Sequence, residues 1–171
     1  MTLDEWNARY RAGEFSMEPA EHLLDYVRDV PPGRALDLAC GAGRNAMWLA
    51  ERGWDVVAID GATEAIRLLR HSNESIDARV MDLERTERLP FDDQSFDLVM
   101  ILYFLHRPLF AEARRVLRAG GWIVIATKTT GAFALEPNEL LRMFTDYMIQ
   151  RWVVRETAEL IAQKTFIHSK T

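Results

Sequence analysis

The chain contains the stretch Ala35-Leu36-Asp37-Leu38-Ala39-Cys40-Gly41-Ala42-Gly43-Arg44-Asn45, which decides its fold. Its first half predicts a buried strand, because Leu36 and Leu38 stand between turn signals at 31–33 and at Gly41. Its second half predicts a helix. Glycine has no Cβ, so the turn between them lets a ligand approach the backbone, and the first N–H groups of the helix attract anions. The stretch has the outline of a nucleotide cradle, although tight packing of strand against helix is the alternative explanation.

Two further acids follow apolar runs in the same way as Asp37. Asp60 comes directly after the run 56–59, about 20 residues beyond the glycine turn, where an acid is placed to accept hydrogen bonds from ribose hydroxyls. Asp82 comes directly after the third run, residues 78–81. Three acids at three successive strand ends are harder to explain by packing than by a ligand site.

The composition predicts one globular domain that covers residues 1–171. The chain is 49% hydrophobic and 27% charged, and its net charge of −5 argues against a nucleic-acid surface and favours a positively charged small ligand. A single cysteine, Cys40, excludes an intramolecular disulfide and is interpreted as a small turn residue rather than a nucleophile. The four histidines lack metal-ligand spacing, so we expect no metal.

No apolar run approaches the roughly 18 residues that a membrane span needs, and residues 1–5 do not resemble a signal peptide. These observations predict a cytoplasmic protein with no membrane partner. The oligomeric state has no signal in the sequence.

Strands and helices alternate along most of the chain. Apolar runs predict strands at 35–38, 55–59, 75–81, 96–102 and 122–127, and helical periodicity predicts helices at 3–11, 18–30, 46–52, 62–71 and 109–117. Residues 119–121 are predicted to turn the chain into the fifth strand. This alternation predicts an α/β fold with a doubly wound, mostly parallel sheet, whose ligands bind beyond the carboxyl ends of the strands.

The end of the chain has a different pattern. It predicts a loop at 128–135, a short helix at 138–144, and strands at 148–154 and 160–166. The connection between these two strands is too short for a parallel crossover, so they must pair as an antiparallel hairpin. The predicted sheet therefore has seven strands and is closed by a C-terminal hairpin.

This order resembles the class I S-adenosylmethionine-dependent methyltransferases, a Rossmann-like fold. The likeness rests on Leu36 to Gly43, Asp60, Asp82-Leu83, Phe96-Asp97-Leu98-Val99 and Leu117-Arg118-Ala119-Gly120-Gly121. Within the class, Gly43-Arg44-Asn45, residues 6–10 and residues 136–144 look most like the tellurite-resistance and thiopurine methyltransferase-like branch. Two features depart from the pattern: Ala39 replaces the first glycine of the turn, and residues 155–159 form a shorter connection than in the tellurite-resistance enzymes.

The resemblance implies three segments and a set of cofactor contacts. Residues 1–33 would be N-terminal helices or a lid, 34–127 the cofactor-binding core, and 128–171 the acceptor loop, helix and hairpin. The implied cofactor-binding residues are Trp6, Tyr10, Asp37, Ala39, Gly41, Ala42, Gly43, Arg44, Asn45, Asp60, Gly61, Ala62, Asp82, Leu83, Ile101 and Leu102. Trp6 and Tyr10 share one face of the first helix, which either docks on the core or closes over a ligand.

The resemblance implies roles for these residues. Asp37 would orient the cofactor ammonium, Asp60 would bind both ribose hydroxyls, and Asp82 would accept from the adenine amino group. Residues 39–44 would cradle the methionine part. Gly61 and Ala62 would lie against adenine, the Leu83 N–H would face its ring, and Ile101 and Leu102 would wall the sulfonium.

Methyl transfer from a sulfonium is a displacement that needs alignment more than a catalytic group. If a base is used, Tyr103 and His106 are the candidates, because they follow the fourth strand beside the expected methyl group. His106 alternatively caps or packs against the next helix. Arg107, Lys128 and Phe133 either line the acceptor pocket or belong to ordinary loops. S-adenosyl-L-homocysteine would be the product, and a small molecule the acceptor.

Two other functions fit part of the pattern. Residues 41–46 also match the loose dinucleotide-binding pattern, but the chain shows no second domain for a hydride acceptor, and neither the hairpin nor Asp82 suits a nicotinamide enzyme. A domain that binds the cofactor to regulate a partner, without turnover, is the second alternative. DNA-base methylation fits poorly, since residues 102–105 replace the polar-Pro-Pro-aromatic tetrad of such enzymes.

Overall fold

The structure is a computed structural model that describes residues 1–130, 135–136 and 138–166. Its helices are α1 (Leu3–Arg11), α2 (Glu21–Leu24), α3 (Arg44–Ala50), α4 (Thr63–Ser72), α5 (Arg107–Val116) and α6 (Glu139–Met143). Its strands are β1 (Arg34–Leu38), β2 (Asp55–Asp60), β3 (Asp77–Val80), β4 (Phe96–Leu102), β5 (Leu117–Lys128), β6 (Tyr147–Val154) and β7 (Thr157–Lys164). They form a seven-stranded, mostly parallel sheet, so the predicted fold class is confirmed.

The chain divides into two compact units, residues 1–87 and the part from Arg88 onward. In the first unit, β1 pairs with β2 and β2 with β3, all parallel. The register sets Leu38 opposite Ile59 and Asp60 opposite Val80, so the carboxyl ends of the three strands are aligned. The residues that follow these ends therefore emerge at one edge of the sheet.

The core of the first unit follows from the apolar patterns. Leu36 and Leu38 of β1 are fully buried, as are Ile66 and Leu69 of α4. The amphipathic spacing of α4 places its apolar stripe inward, as its sequence predicts.

The second unit contains one parallel and two antiparallel strand pairs. β4 is parallel to β5, which is antiparallel to β7, and β7 is antiparallel to β6. The predicted closing hairpin is therefore confirmed. Residues 98–101 of β4 are completely buried, which accounts for the unbroken apolar run.

The helix predicted at 18–30 and the fifth strand depart most from their predicted bounds, whereas the other predicted elements differ by at most about three residues at either end. The helix expected from Glu18 begins at Glu21, lasts four residues and continues as a 3-10 turn at Asp25–Val27. The backbone N–H of Ala20 donates to Asn45 Oδ1 at 2.9 Å, which holds Ala20 in a non-helical conformation ahead of the helix.

The turn expected at 119–121 lies inside β5, which begins at Leu117. Gly120 has a left-handed φ of 76°, and the register between β4 and β5 shifts between Phe96 and Leu98. A glycine-containing irregularity thus replaces the turn, and the strand continues through it.

Among the helices in the described part of the chain, none combines the length and the apolarity needed to cross a bilayer.

Candidate functional site

The turn between β1 and α3 has a left-handed residue at every second position. Ala39, Gly41 and Gly43 have φ values of 59°, 57° and 87°. A Cβ at Gly43 would collide with the side chain of Leu69, whereas one at Gly41 would lie 2.6 Å from the Tyr10 hydroxyl oxygen. Both glycines therefore allow close packing of a side chain on the turn: Leu69 of α4 on Gly43, and the Tyr10 hydroxyl on Gly41.

Asp60 joins this turn to the turn that starts α4. Its Oδ2 accepts a hydrogen bond from the Gly41 N–H and its Oδ1 one from the Ala62 N–H, each at 2.8 Å. Burial raises the pKa of this carboxyl, and the N–H groups of Ala62, Gly41 and Gly61 oppose that rise. The side chain is thus held rigidly between two backbone segments.

Asp37 is 1% exposed and lies close enough to Asp60 for the two charges to interact. Burial raises the pKa of Asp37 to about 7, and the negative charge of Asp60 adds to the rise. Arg44 and the Ala46 N–H act in the opposite direction. Within the described residues, Asp37 Oδ2 is buried without a hydrogen-bond partner. Such an atom calls for a donor from a ligand or a water.

Asp82 differs from the other two acids. It lies two residues beyond β3, and its Oδ1 accepts from the Glu84 N–H at 3.1 Å while Arg85 approaches its other carboxyl oxygen at 3.5 Å. Its side chain is 34% exposed. The carboxylate of Asp82 closes its own turn, and the following Leu83 is buried.

Arg44 and Asn45 at the start of α3 hold the segment before α2. Arg44 donates to the carbonyl of Glu18 at 3.2 Å, and Asn45 accepts from the Ala20 N–H. Asn45 is 4% exposed, so its amide is part of the core. No local sequence pattern predicts the hydrogen bond between Ala20 and Asn45, because the two residues lie 25 positions apart.

The first helix, α1, lies on the same turns. A Cβ at Gly61 would lie 2.7 Å from Leu3 Cδ2, and Asn7 Oδ1 accepts from the Glu64 N–H at 2.9 Å. Tyr10 rests on Gly41, and its pKa is raised by burial and by the charge of Asp60. Trp6 is 38% exposed, and its ring lies 6.1 Å from that of Tyr10. Leu3 and Asn7, which were not predicted as site residues, lie on the same face of α1 as Tyr10, because the three residues are spaced by four and three positions.

In the second unit, the end of β4 carries the two candidate bases. Ile101 and Leu102 are buried, whereas Tyr103 is 44% exposed and has a left-handed φ of 62°. A tyrosine in that conformation is uncommon and marks a constrained site. His106 is the N-cap residue of α5, but its side chain makes no capping hydrogen bond.

Arg107 links the start of α5 to the start of α6. Its Nε and Nη2 donate to the two carboxyl oxygens of Glu139 at 2.5 and 2.9 Å. Glu139 also accepts from the Glu136 N–H. Lys128, at the end of β5, is exposed, and Phe133 lies outside the described residues. Arg107 therefore joins the first residue of α5 to the first residue of α6.

The first unit brings together Asp37, Asp60, the glycine turn and Ala62 at the carboxyl ends of β1 and β2. The second unit places Ile101, Leu102, Tyr103 and His106 at the end of β4. Asp60 and Asp37 combine burial, fixed hydrogen bonds and a raised pKa, which is typical of functional carboxylates.

The chain matches the methyltransferase-domain family over residues 36–125. An uncharacterized methyltransferase of Mycobacterium tuberculosis is 33% identical over 124 residues, which cover 70% of this chain and 49% of that protein. A demethylmenaquinone methyltransferase of Renibacterium salmoninarum is 31% identical over 133 residues, covering 75% and 53%. The chain thus spans about half the length of the curated relatives it matches.

Two solved structures have the same fold. TehB from Haemophilus influenzae has a TM-score of 0.78 at 18% identity, covering 93% of this chain and 67% of TehB. A TehB-like SAM-dependent methyltransferase from Corynebacterium glutamicum has a TM-score of 0.71 at 21% identity, covering 95% and 98%. The resemblance stated from the sequence is confirmed: the chain belongs to the methyltransferase-domain family.

Proposed function

We propose that the protein binds S-adenosyl-L-methionine and transfers its methyl group to a small molecule. The observation that carries this proposal is the fixed Asp60 carboxylate, held by the N–H groups of Gly41 and Ala62, with buried Asp37 beside it. The carboxylate is pre-positioned, and each of its oxygens has a second lone pair for a ribose hydroxyl.

The residues of the first unit fit this cofactor. Asp37 Oδ2 is a buried acceptor without a partner among the described residues, and a cofactor ammonium would satisfy it. Gly41 has a left-handed φ of 57° and no Cβ, and the Tyr10 hydroxyl lies over its backbone. The remaining assignments follow the family pattern: residues 39–44 at the methionine part, Gly61 and Ala62 at adenine, and Asp82 and Leu83 at the adenine edge.

The cofactor, when bound, supplies an activated methyl group on a sulfonium. The protein's task is then to orient the two reactants and exclude water, which in well-aligned pairs is worth roughly 7 to 11 kcal/mol. Ile101 and Leu102 are proposed as the apolar wall of the sulfonium. Tyr103 and His106 are proposed to accept a proton from the acceptor where one must be removed.

The class of acceptor is a small molecule rather than nucleic acid. A nucleic-acid substrate requires a basic protein surface, and the net charge of −5 argues against such a surface on this chain. Several relatives are named demethylmenaquinone methyltransferases, which supports a small organic acceptor for this chain too.

Calorimetric titration tests the cofactor first. S-adenosylhomocysteine should bind in the micromolar range, whereas NADH should not bind. Tight binding of NADH alone would overturn the proposal in favour of a nicotinamide-binding protein.

A panel of demethylmenaquinone, thiols, phenols, amines, tellurite and selenite then tests turnover, which is measured by the release of S-adenosylhomocysteine. Binding without turnover on any acceptor would support a regulatory domain instead.

Replacement of Asp60 tests the site itself. Asp60→Ala should lower the affinity for S-adenosylhomocysteine about tenfold or more, because the two ribose hydroxyls lose their charged hydrogen-bond acceptor. Asp55→Ala, at the exposed opposite end of β2, is the matched control and should bind as the natural chain does. Circular dichroism should show both variants folded, and unchanged affinity in folded Asp60→Ala would refute the ribose assignment.

A further inference from the structure

The sheet ends at two edge strands of opposite character, and the first of them, β3, is protected. It is four residues long and carries an ion pair between Arg79 and Asp77. The Arg70 guanidinium donates two hydrogen bonds to the Ala78 carbonyl, at 3.0 and 2.6 Å. Short length and charged side chains are features by which proteins keep an edge from pairing with another chain.

The other edge strand, β6, lacks this protection. It is eight residues long, and within the described part of the chain it pairs only with β7. It contains no lysine or proline, and its single charged residue, Arg151, is ion-paired with Glu159 of β7 at 2.6 Å. Met148, Ile149 and Val154 are 51%, 38% and 52% exposed. Such an edge offers backbone N–H and C=O groups beside exposed apolar side chains, which is the surface that a further strand pairs with.

The side chains of β6 and its two flanking residues complement themselves when the strand is reversed. From 146 to 155 the order is one acid, three apolar residues, two polar residues, three apolar residues and one base. These residues are Asp146-Tyr147-Met148-Ile149-Gln150-Arg151-Trp152-Val153-Val154-Arg155. Two such segments that run antiparallel with full overlap set apolar residues opposite apolar ones, and an acid opposite a base at each end.

Full overlap also gives better side-chain pairs than a slipped register. It sets Ile149 opposite Trp152 of the second copy, a β-branched and aromatic pair of the kind that stabilises antiparallel strands. At the centre it sets Gln150 opposite Arg151, whose guanidinium can donate to the amide oxygen. A slip of one residue sets Arg151 opposite either Arg151 or Ile149 of the second copy, and both of these pairs are unfavourable.

The charges at the two ends of the segment are available for this pairing. Arg155 is exposed, and among the described residues its guanidinium has no ion-pair partner. The Asp146 side chain is 42% exposed, and both of its carboxyl oxygens contact Nη2 of Arg114, at 2.8 and 3.0 Å. A carboxylate has about four lone-pair sites, so Asp146 can accept from a second guanidinium as well.

An extra residue marks the middle of the strand. The register between β6 and β7 shifts between Ile149 and Arg151, so Gln150 has no partner residue in β7. This bulge lies at the centre of the segment, with three residues in regular register on either side of it. Pairing of two copies therefore uses the regular halves 147–149 and 152–154, and the two bulges meet in the middle.

We infer that two copies of this chain associate through β6, with the two strands antiparallel about a two-fold axis between Gln150 and Arg151. The two sheets then form one continuous sheet. Because the same surface is used by both copies, the contact closes at two chains and does not extend into a filament. This inference goes beyond the proposed function and does not depend on it.

Sedimentation equilibrium tests the association itself. Between about 1 and 100 μM protein, the average mass should rise from that of one chain to that of two chains and no further. A monomer throughout this range, or growth beyond two chains, would overturn the inference.

Hydrogen exchange locates the contact in the unmodified protein. Amide exchange in peptides from β6 should slow as the protein concentration rises, because the free backbone groups of the edge become hydrogen-bonded. Peptides from the protected edge β3 should exchange at the same rate at all concentrations. Slowing in β3, with none in β6, would show that another surface forms the dimer.

Met148→Lys tests the apolar part of the interface. A lysine on an edge strand opposes pairing with another strand, and each dimer would contain two of them, so we expect the dimer dissociation constant to rise tenfold or more. Met17→Lys is the matched control, since Met17 is 41% exposed and lies outside β6, and its dissociation constant should not change. Circular dichroism should show both variants folded, and equal dissociation constants in the two would refute the interface.

Arg155→Glu tests the antiparallel register. It sets two carboxylates together at each end of the paired strands, so we expect the dimer to weaken about tenfold. Arg88→Glu makes the same change in net charge at a residue whose side chain is 68% exposed and which lies outside β6, and it should leave the dimer unchanged. If the two variants weaken the dimer equally, the pairing of Asp146 with Arg155 is wrong.

Discussion

At the scale of the residue, we predict that Asp37 makes the affinity for the proposed cofactor depend on pH. Its pKa of about 7 in the folded chain means that most molecules carry a neutral Asp37 at pH 6 and an ionised one at pH 7.5. A cationic cofactor favours the ionised form, so its binding releases a proton at the lower pH. We expect affinity for S-adenosylmethionine to rise about five- to tenfold from pH 6 to pH 7.5. Calorimetry in two buffers of different ionisation enthalpy measures both the affinity and the released proton.

Asp37→Asn is the control, and its affinity should be lower and nearly independent of pH. A pH profile equal to that of the natural chain would contradict the role of Asp37.

The stability of the fold depends on pH in the opposite direction to the affinity. Because the pKa of Asp37 is raised in the folded chain, its contribution to the free energy of unfolding is present at low pH and is lost as the pH rises through 7.

Ala39 is strained by its position in the turn. A left-handed φ of 59° costs an alanine roughly 1 kcal/mol, and glycine avoids that cost. Ala39→Gly should therefore raise the free energy of unfolding by about 0.5 to 1 kcal/mol in urea titrations. Ala42→Gly, in the same turn without a positive φ, should lower it. A loss of stability in Ala39→Gly would show that the turn tolerates alanine.

At the scale of the element, Arg115 attaches α5 to the segment before β4. Its guanidinium donates to Glu112 at 2.8 and 2.7 Å, to Asp93 at 2.7 Å and to the carbonyls of Leu89 and Phe91 at 3.0 and 2.8 Å. The side chain is only 15% exposed. Arg115→Met should cost about 2 kcal/mol of unfolding free energy, because it leaves partly buried acceptors unpaired.

The matched control for Arg115 is Arg118→Met. Arg118 pairs with Asp97 at 2.5 Å but is 59% exposed, so its loss should cost less than about 1 kcal/mol. Equal effects of the two substitutions in urea unfolding would contradict the importance of burial for the Arg115 contacts.

At the scale of the whole molecule, the prediction of one domain over 171 residues stays a prediction. A chain of this length is expected to unfold in one cooperative transition. Pulsed hydrogen exchange during a urea titration should give the same midpoint for peptides from β2 and from β5, which lie in different compact units. Two separate midpoints would show that residues 1–87 and the remainder fold independently.

Much of the fold could be predicted because its signals are local. The bounds of α1 and β4 agree with the predicted ones, since Gly13 ends the first and the run 96–102 defines the second. The apolar spacing of residues 18–30 predicts one helix over this segment. The hydrogen bond from Ala20 to Asn45 shortens it, and no local pattern contains that bond.

The sequence by itself determined the order of strands and helices, the glycine turn and the acids at strand ends, because periodicity and backbone preference act between near neighbours. Only the tertiary structure decided what these residues contact. The Asp60 carboxylate accepts hydrogen bonds from the N–H groups of Gly41 and Ala62, whereas the Asp82 carboxylate accepts one from its own turn. The Tyr10 side chain fills the space over Gly41. Which atom fills a space or pairs with a buried carboxylate depends on segments that are distant along the chain and meet only when it folds.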